Sequence, residues 1–194
     1  MICIIQARTG SVRLPEKVLL KIGRISILQR IINSLKKIRK IKKIIVATSN
    51  LKKDIKIVNI CKKNKIDFFI GNEENVASRF FHILKKSETH FFLRINGDSP
   101  FIDTQLIAKM IKIKNFSRYD IITNVYKRTF PKGQSIEFIK KKFFLINYKK
   151  FKYKRHFEHV SSFFYENNIN CKIYNYNNKI NFSNVNLSID TKKD

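Results

Sequence analysis

Residues 4 to 20 read IIQARTGSVRLPEKVLL and hold Arg8, Gly10, Ser11, Arg13, Pro15 and Lys17. These types suit a polyphosphate. Two guanidinium groups can fork onto phosphate oxygens, and a lysine adds a mobile point charge. Gly10 permits close backbone approach, Ser11 offers a hydroxyl and an N–H, and Pro15 stiffens the loop. The stretch matches neither GxxxxGK[ST] nor GxGxxG. The alternative reading is a basic surface loop in a basic chain.

A second candidate is RINGDSP, residues 94 to 100, where Asp98 sits between Gly97 and Ser99-Pro100. Such an acid either opens a turn or holds a divalent cation that bridges phosphates. Mg²⁺ in particular is bound by one or two carboxylates plus substrate oxygens. The chain has only 14 acidic residues, so one placed on the same rim as three cations stands out. Asp190, in SIDTKKD, is either a second metal carboxylate or the N-cap of a following helix. In RHFEHV, residues 155 to 160, His156 and His159 are spaced i, i+3 and share a face if the segment is helical. No third ligand pattern accompanies them, so substrate contacts or an ion pair are favoured over zinc.

The elements that must position these residues alternate along the chain. Apolar runs at 2–6, 43–49, 67–71, 90–95 and 119–125 read as strands, the second as one covered on both faces. Helical periodicity runs through 25–38, 52–64, 75–87 and 103–114, with Asn75 and Asp103 placed as N-caps. This alternation predicts βαβ units and a parallel sheet, whose ligands sit at the carboxyl ends of the strands. The 7–17 and 96–100 loops both follow strand ends and therefore share a rim. Beyond residue 126 the pattern is less regular. A turn and strand are expected at 130–139, helices at 141–150 and 154–168, strands at 171–176 and 185–190, and an Asn-rich loop at 175–184.

Composition limits the function classes. A net charge of +27 invites a nucleic-acid reading. Yet the chain contains 31 Lys, 32 Ile and 19 Asn against 10 Arg, 11 Leu and 4 Ala. Lys, Ile and Asn have the most A/T-rich codons, so the charge reads as codon bias on solvated faces rather than a polynucleotide site. No run of 18 apolar residues is present, so no membrane span is expected. Three scattered cysteines give neither a disulfide framework nor a zinc pattern, which fits a reduced, cytoplasmic protein.

Taken in order, the quoted features resemble the cytidylyltransferase family that activates acidic sugars, which includes acylneuraminate and 3-deoxy-manno-octulosonate cytidylyltransferases. The opening motif is similar to that of the spore-coat polysaccharide branch, and IVATS, RINGDSPFID, RTFPKG, EHV and IDT follow in the branch's order. The resemblance covers essentially the whole chain. It implies a three-layer α/β/α nucleotide-diphospho-sugar transferase fold, Rossmann-like, with a mostly parallel sheet. It implies a single domain over 1–194, with a nucleotide-binding half at 1–126 and a sugar-side and dimerisation half at 127–194 whose C-terminus is shortened. It implies CTP and an acidic sugar as substrates, Mg²⁺ as cofactor, and a homodimer. Carried over by position, Arg8, Gly10, Ser11, Arg13 and Lys17 match the phosphate motif. Ser78 and Arg79 lie at a nucleotide-proximal pair, Asp98 and Asp190 at the metal carboxylates, and Glu137 and His159 on the sugar side. Glu16 stands where the family has Gly, which places a negative charge in the phosphate loop. Ser78 and Ser135 each replace an acid. These departures, with the short C-terminus, keep a catalytically impaired or sugar-transferring relative as the rival reading.

Overall fold

A computed structural model of the chain describes residues 1–166, 169–191 and 194. Its centre is a seven-stranded sheet in the order β5-β4-β1-β6-β8-β7-β9. The strands are β1 (Ile2–Gln6), β4 (Lys43–Ser49), β5 (Asp67–Gly71), β6 (Phe91–Asn96), β7 (Ile121–Thr123), β8 (Glu137–Lys140) and β9 (Ile173–Asn175). All run in one direction except β8, which is antiparallel to both β6 and β7. A two-residue hairpin of β2 (Lys21–Ile22) and β3 (Ile25–Ser26) lies apart. The sheet is therefore mostly parallel, as the alternation of elements requires, and strands from both halves of the chain join it.

The helices are α1 (Ile27–Lys36), α2 (Ile55–Lys63), α3 (Val76–Lys85), α4 (Thr104–Ile111), α5 (Lys141–Tyr148), α6 (Lys154–Glu158) and α7 (Ser162–Tyr165). Alternation along β1 divides the core. Cys3 and Ile5 point to a layer built from α1, α2 and α4, whereas Ile2 and Ile4 point to one built from α3, α5 and the segments around Val160 and Phe164. This gives three layers. Asn75 and Asp103 cap α3 and α4 as expected, accepting from Ser78 N and Leu106 N at 2.8 and 2.9 Å.

Three expectations change. The helix expected from residue 25 starts at Ile27, because Ile25 and Ser26 pair with the hairpin and Ser26 becomes the N-cap, accepting from Gln29 N at 3.2 Å. The helix expected over 154–168 breaks into α6 and α7, since His159 leaves the helical region at φ −104°, ψ 87°. Its residues 167 and 168 lie outside those described. The 185–190 segment does not form a strand. It lies against the 130–133 turn through one bridge, Lys132 to Asn186, and this placement serves the site.

Candidate active site

β1 sits where the strand order reverses, with β4 on one side and β6 on the other. In open α/β sheets that point, at the carboxyl ends of the strands, is where ligands bind. A cavity of about 410 Å³ opens there, and Arg8, Ser11, Arg13, Lys17, Arg79, Asp98 and His159 line it. The 7–17 and 96–100 loops therefore share one rim, as their places after strand ends require.

One wall of the cavity carries a charge cluster. Lys17 Nζ lies 2.6 Å from Asp98 Oδ2 and 2.8 Å from Asp190 Oδ1. Arg13 Nη2 reaches the same Asp190 oxygen at 3.1 Å. Burial disfavours the Lys17 charge, but the fields and hydrogen bonds of Asp98 and Asp190 outweigh it and hold the ammonium pKa above its ordinary value. Asp190 thus joins the rim that holds Asp98 and Lys17. Its neighbour Ile189 donates its N–H to Asp98 O at 3.1 Å, and Leu187 N donates to Lys132 O at 2.8 Å. Gly133 makes this possible. It has φ +91°, and a Cβ there would come within 2.5 Å of the Leu187 and Ser188 backbone, so only glycine lets the C-terminal segment close onto the turn.

Two carboxylate oxygens converging on one ammonium make a cation site already filled by a side chain. Both donors are hard oxygens, as Mg²⁺ prefers, and a substrate polyphosphate supplies the remaining ligands of such sites. Among the described residues no group of three or more His, Cys, Asp or Glu is arranged to hold a metal, so a metal here depends on substrate oxygens.

The loop carrying Arg8 to Lys17 is pinned from beneath by Asp54, whose role the sequence did not reveal. Asp54 is 1% exposed. It accepts from Thr9 N at 2.8 Å and Thr9 Oγ1 at 2.6 Å. It also accepts from Thr48 Oγ1 at 2.9 Å, Ser49 N at 3.0 Å and Ser49 Oγ at 2.5 Å. Thr9 O in turn accepts from Ser11 N and Glu16 N, both at 2.9 Å, and so closes the loop.

Other candidates take different places. Arg79 is 1% exposed and serves as a clamp. It donates to Asn72 O at 2.8 Å, Glu73 O at 2.7 Å and Ala47 O at 3.4 Å. Burial, and next the charge of Arg8, pull its pKa down to about 10. Ser78 turns away from the cavity; its hydroxyl donates to Asn75 O at 2.7 Å within the first turn of α3. Gly10 faces Glu73 and Leu51, where a Cβ would meet Glu73 Oε1 at 2.9 Å. Its close approach is thus to the protein. Arg8 reaches Glu73 O at 3.3 Å and Glu158 Oε1 at 3.5 Å. Glu137 is buried behind the cavity and paired with Arg94. His159 lines the cavity, but His156 faces away and binds Glu166 Oε1 at 2.8 Å. The shared face expected of the two histidines is lost where α6 ends.

Glu16 does not intrude on the phosphate loop. Its carboxylate lies 2.8 and 3.0 Å from Lys56 Nζ on α2, outside the cavity. Its backbone is left-handed at φ 58°, ψ 18°, a conformation that glycine adopts without strain. Replacing Glu16 by Gly relieves that strain and gives up one exposed ion pair together with some chain entropy. The net gain is about 0.5 kcal/mol of stability. It should be read as a raised urea midpoint with unchanged nucleotide affinity.

Reasoning from the sequence missed Gln6, Arg94 and Asn96, which line the cavity together with Glu158 of the RHFEHV stretch. A signal existed for two of them. Arg94 and Asn96 alternate at period two, so they emerge on one side of β6, just before the turn that carries Asp98.

The family model described as Cytidylyltransferase matches residues 2–192. An uncharacterised protein of Methanocaldococcus jannaschii is 35% identical over 100% of this chain and 79% of its own length. Spore coat polysaccharide biosynthesis protein SpsF of Bacillus subtilis is 31% identical over 56% of this chain and 47% of its own. A 3-deoxy-manno-octulosonate cytidylyltransferase of Rickettsia prowazekii is 32% identical over 64% of this chain and 51% of its own. The chain thus spans most of the first relative and about half of the other two. Among solved structures, a cytidylyltransferase from Leptospira borgpetersenii superposes with a TM-score of 0.92 at 30% identity, over 98% of this chain and 81% of that one.

Proposed function

The chain belongs to the cytidylyltransferase family, and from that premise we propose that it couples CTP to an acidic sugar, giving a CMP-sugar and pyrophosphate for polysaccharide biosynthesis in the cytoplasm. One observation carries this reading: Asp98 and Asp190 converge on Lys17 at the rim that also holds Arg8, Ser11 and Arg13. Among the described residues no helix is long and apolar enough to cross a membrane.

The chemistry needs placement and charge neutralisation more than covalent participation. The acceptor hydroxyl forms its bond to the α-phosphorus and loses its proton, and pyrophosphate departs. Lys17 moves from the carboxylates to the incoming phosphate oxygens, and Arg13 and Arg8 hold the charge that grows on the leaving pyrophosphate. Asp98 and Asp190 are then free to hold Mg²⁺, which supplies a Lewis acid and a template for the phosphate oxygens. The 3-deoxy-manno-octulosonate relative supports an acidic acceptor.

The test is pyrophosphate release from CTP and Mg²⁺ with 3-deoxy-manno-octulosonate, N-acetylneuraminate and neutral hexoses in parallel. Release is expected with an acid and not with the neutral sugars. Release that requires UTP instead of CTP, or that proceeds equally with neutral sugars, overturns the assignment.

A further inference from the structure

We propose that Arg94, with Asn96 beside it, is the residue pair that reads the carboxylate of the acceptor sugar; this rests on the acidic-sugar reading above and adds the group that enforces it. Arg94 lines the cavity with its side chain 10% exposed. It is fixed from behind. Nη1 donates to Glu137 Oε2, and Nε donates to Gln6 Oε1 at 3.1 Å. Glu137, 1% exposed, is itself held by the Tyr165 hydroxyl on its other oxygen. Nη2 makes no hydrogen bond among the described residues. A guanidinium with two arms tied and one free is preorganised for an oxyanion, since little side-chain freedom remains to be lost on binding.

Asn96 supplies the second half. It lines the same cavity two residues further along, and its Oδ1 is buried with no partner among the described residues. Orphaned buried acceptors are rare in folded proteins and call for an explanation such as a ligand or a water. A free donor and a free acceptor side by side match a carboxylate beside a hydroxyl, the arrangement of a sugar acid. A neutral sugar presents hydroxyls only and leaves the cation without its counter-charge. Asp98 lies in the turn directly after the strand and lines the same cavity, so a ligand seated on Arg94 and Asn96 extends toward the phosphate end of the cavity.

The charge balance agrees. Glu137 faces two cations, Arg94 in contact and Arg128 nearby, whose own charge burial disfavours and Glu137 supports. Tyr165 stays neutral, its pKa raised by burial and by Glu137. One carboxylate therefore answers two cations, of which Arg94 is the one that lines the cavity. A purely structural Arg94–Glu137 pair would need neither the free Nη2 nor the cavity exposure.

Removing Arg94 alone strands a buried carboxylate, so the test uses the double variant Arg94→Gln/Glu137→Gln, with Arg94→Lys as a second. Calorimetric titrations of protein loaded with Mg²⁺ and a non-hydrolysable CTP analogue compare 3-deoxy-manno-octulosonate and N-acetylneuraminate with their carboxamides. The parent should prefer a sugar acid over its amide at least tenfold. The double variant should lose that preference, with its affinity for the CTP analogue unchanged. Arg94→Lys keeps the pair with Glu137 but has no fork, and should weaken acid binding severalfold. If the double variant folds and keeps the parental preference, or if it fails to fold and Arg94→Lys binds acids as the parent does, the assignment of Arg94 falls alone. If the parent binds the CTP analogue but neither acid, the acidic-sugar reading falls and takes this one with it.

Discussion

Replacing Asp98 by Ala lowers the rate of pyrophosphate release about a thousandfold at saturating CTP and Mg²⁺, a loss of about 4 kcal/mol in transition-state stabilisation. The size follows from what the carboxylate holds. Asp98 and Asp190 are the pair whose oxygens meet at the Lys17 ammonium, 2.6 and 2.8 Å away. A divalent cation held by the two carboxylates would lose one of its two protein ligands when Asp98 goes. Stability should hardly change. The Asp98 side chain is 24% exposed, and Lys17 keeps Asp190, so the folding cost is about 1 kcal/mol or less. A urea midpoint near the parental value combined with the lost rate separates this from misfolding. Turnover at the parental rate contradicts the metal role. The same geometry couples the two ligands: phosphate draws Lys17 away from the carboxylates, so CTP should tighten Mn²⁺ binding measured by EPR, and Mn²⁺ should tighten CTP by the same factor.

Much of the first half was legible because local and global signals agree there. β4 and β5 form at the lengths their apolar runs dictate, and Asn75 and Asp103 cap the helices they precede. The rim followed from chain order alone, since loops after parallel strands share one edge of the sheet. What stayed hidden depends on partners far apart in sequence. Arg94 pairs with Glu137, 43 residues later, on the neighbouring strand β8. The antiparallel insertion of β8 leaves no mark in periodicity. What brings Asp190 to the rim, the closure of 185–190 onto Gly133, is a backbone contact, which side-chain patterns do not encode. Glu16 read as a threat to phosphate until its left-handed backbone turned it to Lys56.

Asp54 carries the largest expected effect on stability. Asp54→Ala removes the single acceptor of five hydrogen bonds and leaves two N–H groups and three hydroxyls of Thr9, Thr48 and Ser49 to find partners in a buried site. A buried network broken at its hub costs about 3 to 5 kcal/mol, a large share of the roughly 5 to 15 kcal/mol that keeps a domain folded. The affinity for CTP should fall as well, because Thr9 ties both ends of the loop that presents Arg8, Ser11 and Arg13. Asp54→Asn provides the pH test. Burial raises the Asp54 pKa, but the hydrogen bonds from Ser49 and Thr9 outweigh it and leave the carboxyl below its ordinary value. A carboxyl depressed by folding stabilises fully above its unfolded pKa of about 3.9 and loses that contribution as pH falls through the folded value. The stability gap between parent and Asp54→Asn, measured by urea unfolding, should therefore be constant from pH 8 to about 5 and shrink below about 4. A gap that stays constant through pH 3 contradicts an ionised, hydrogen-bonded carboxylate as the anchor of the phosphate loop.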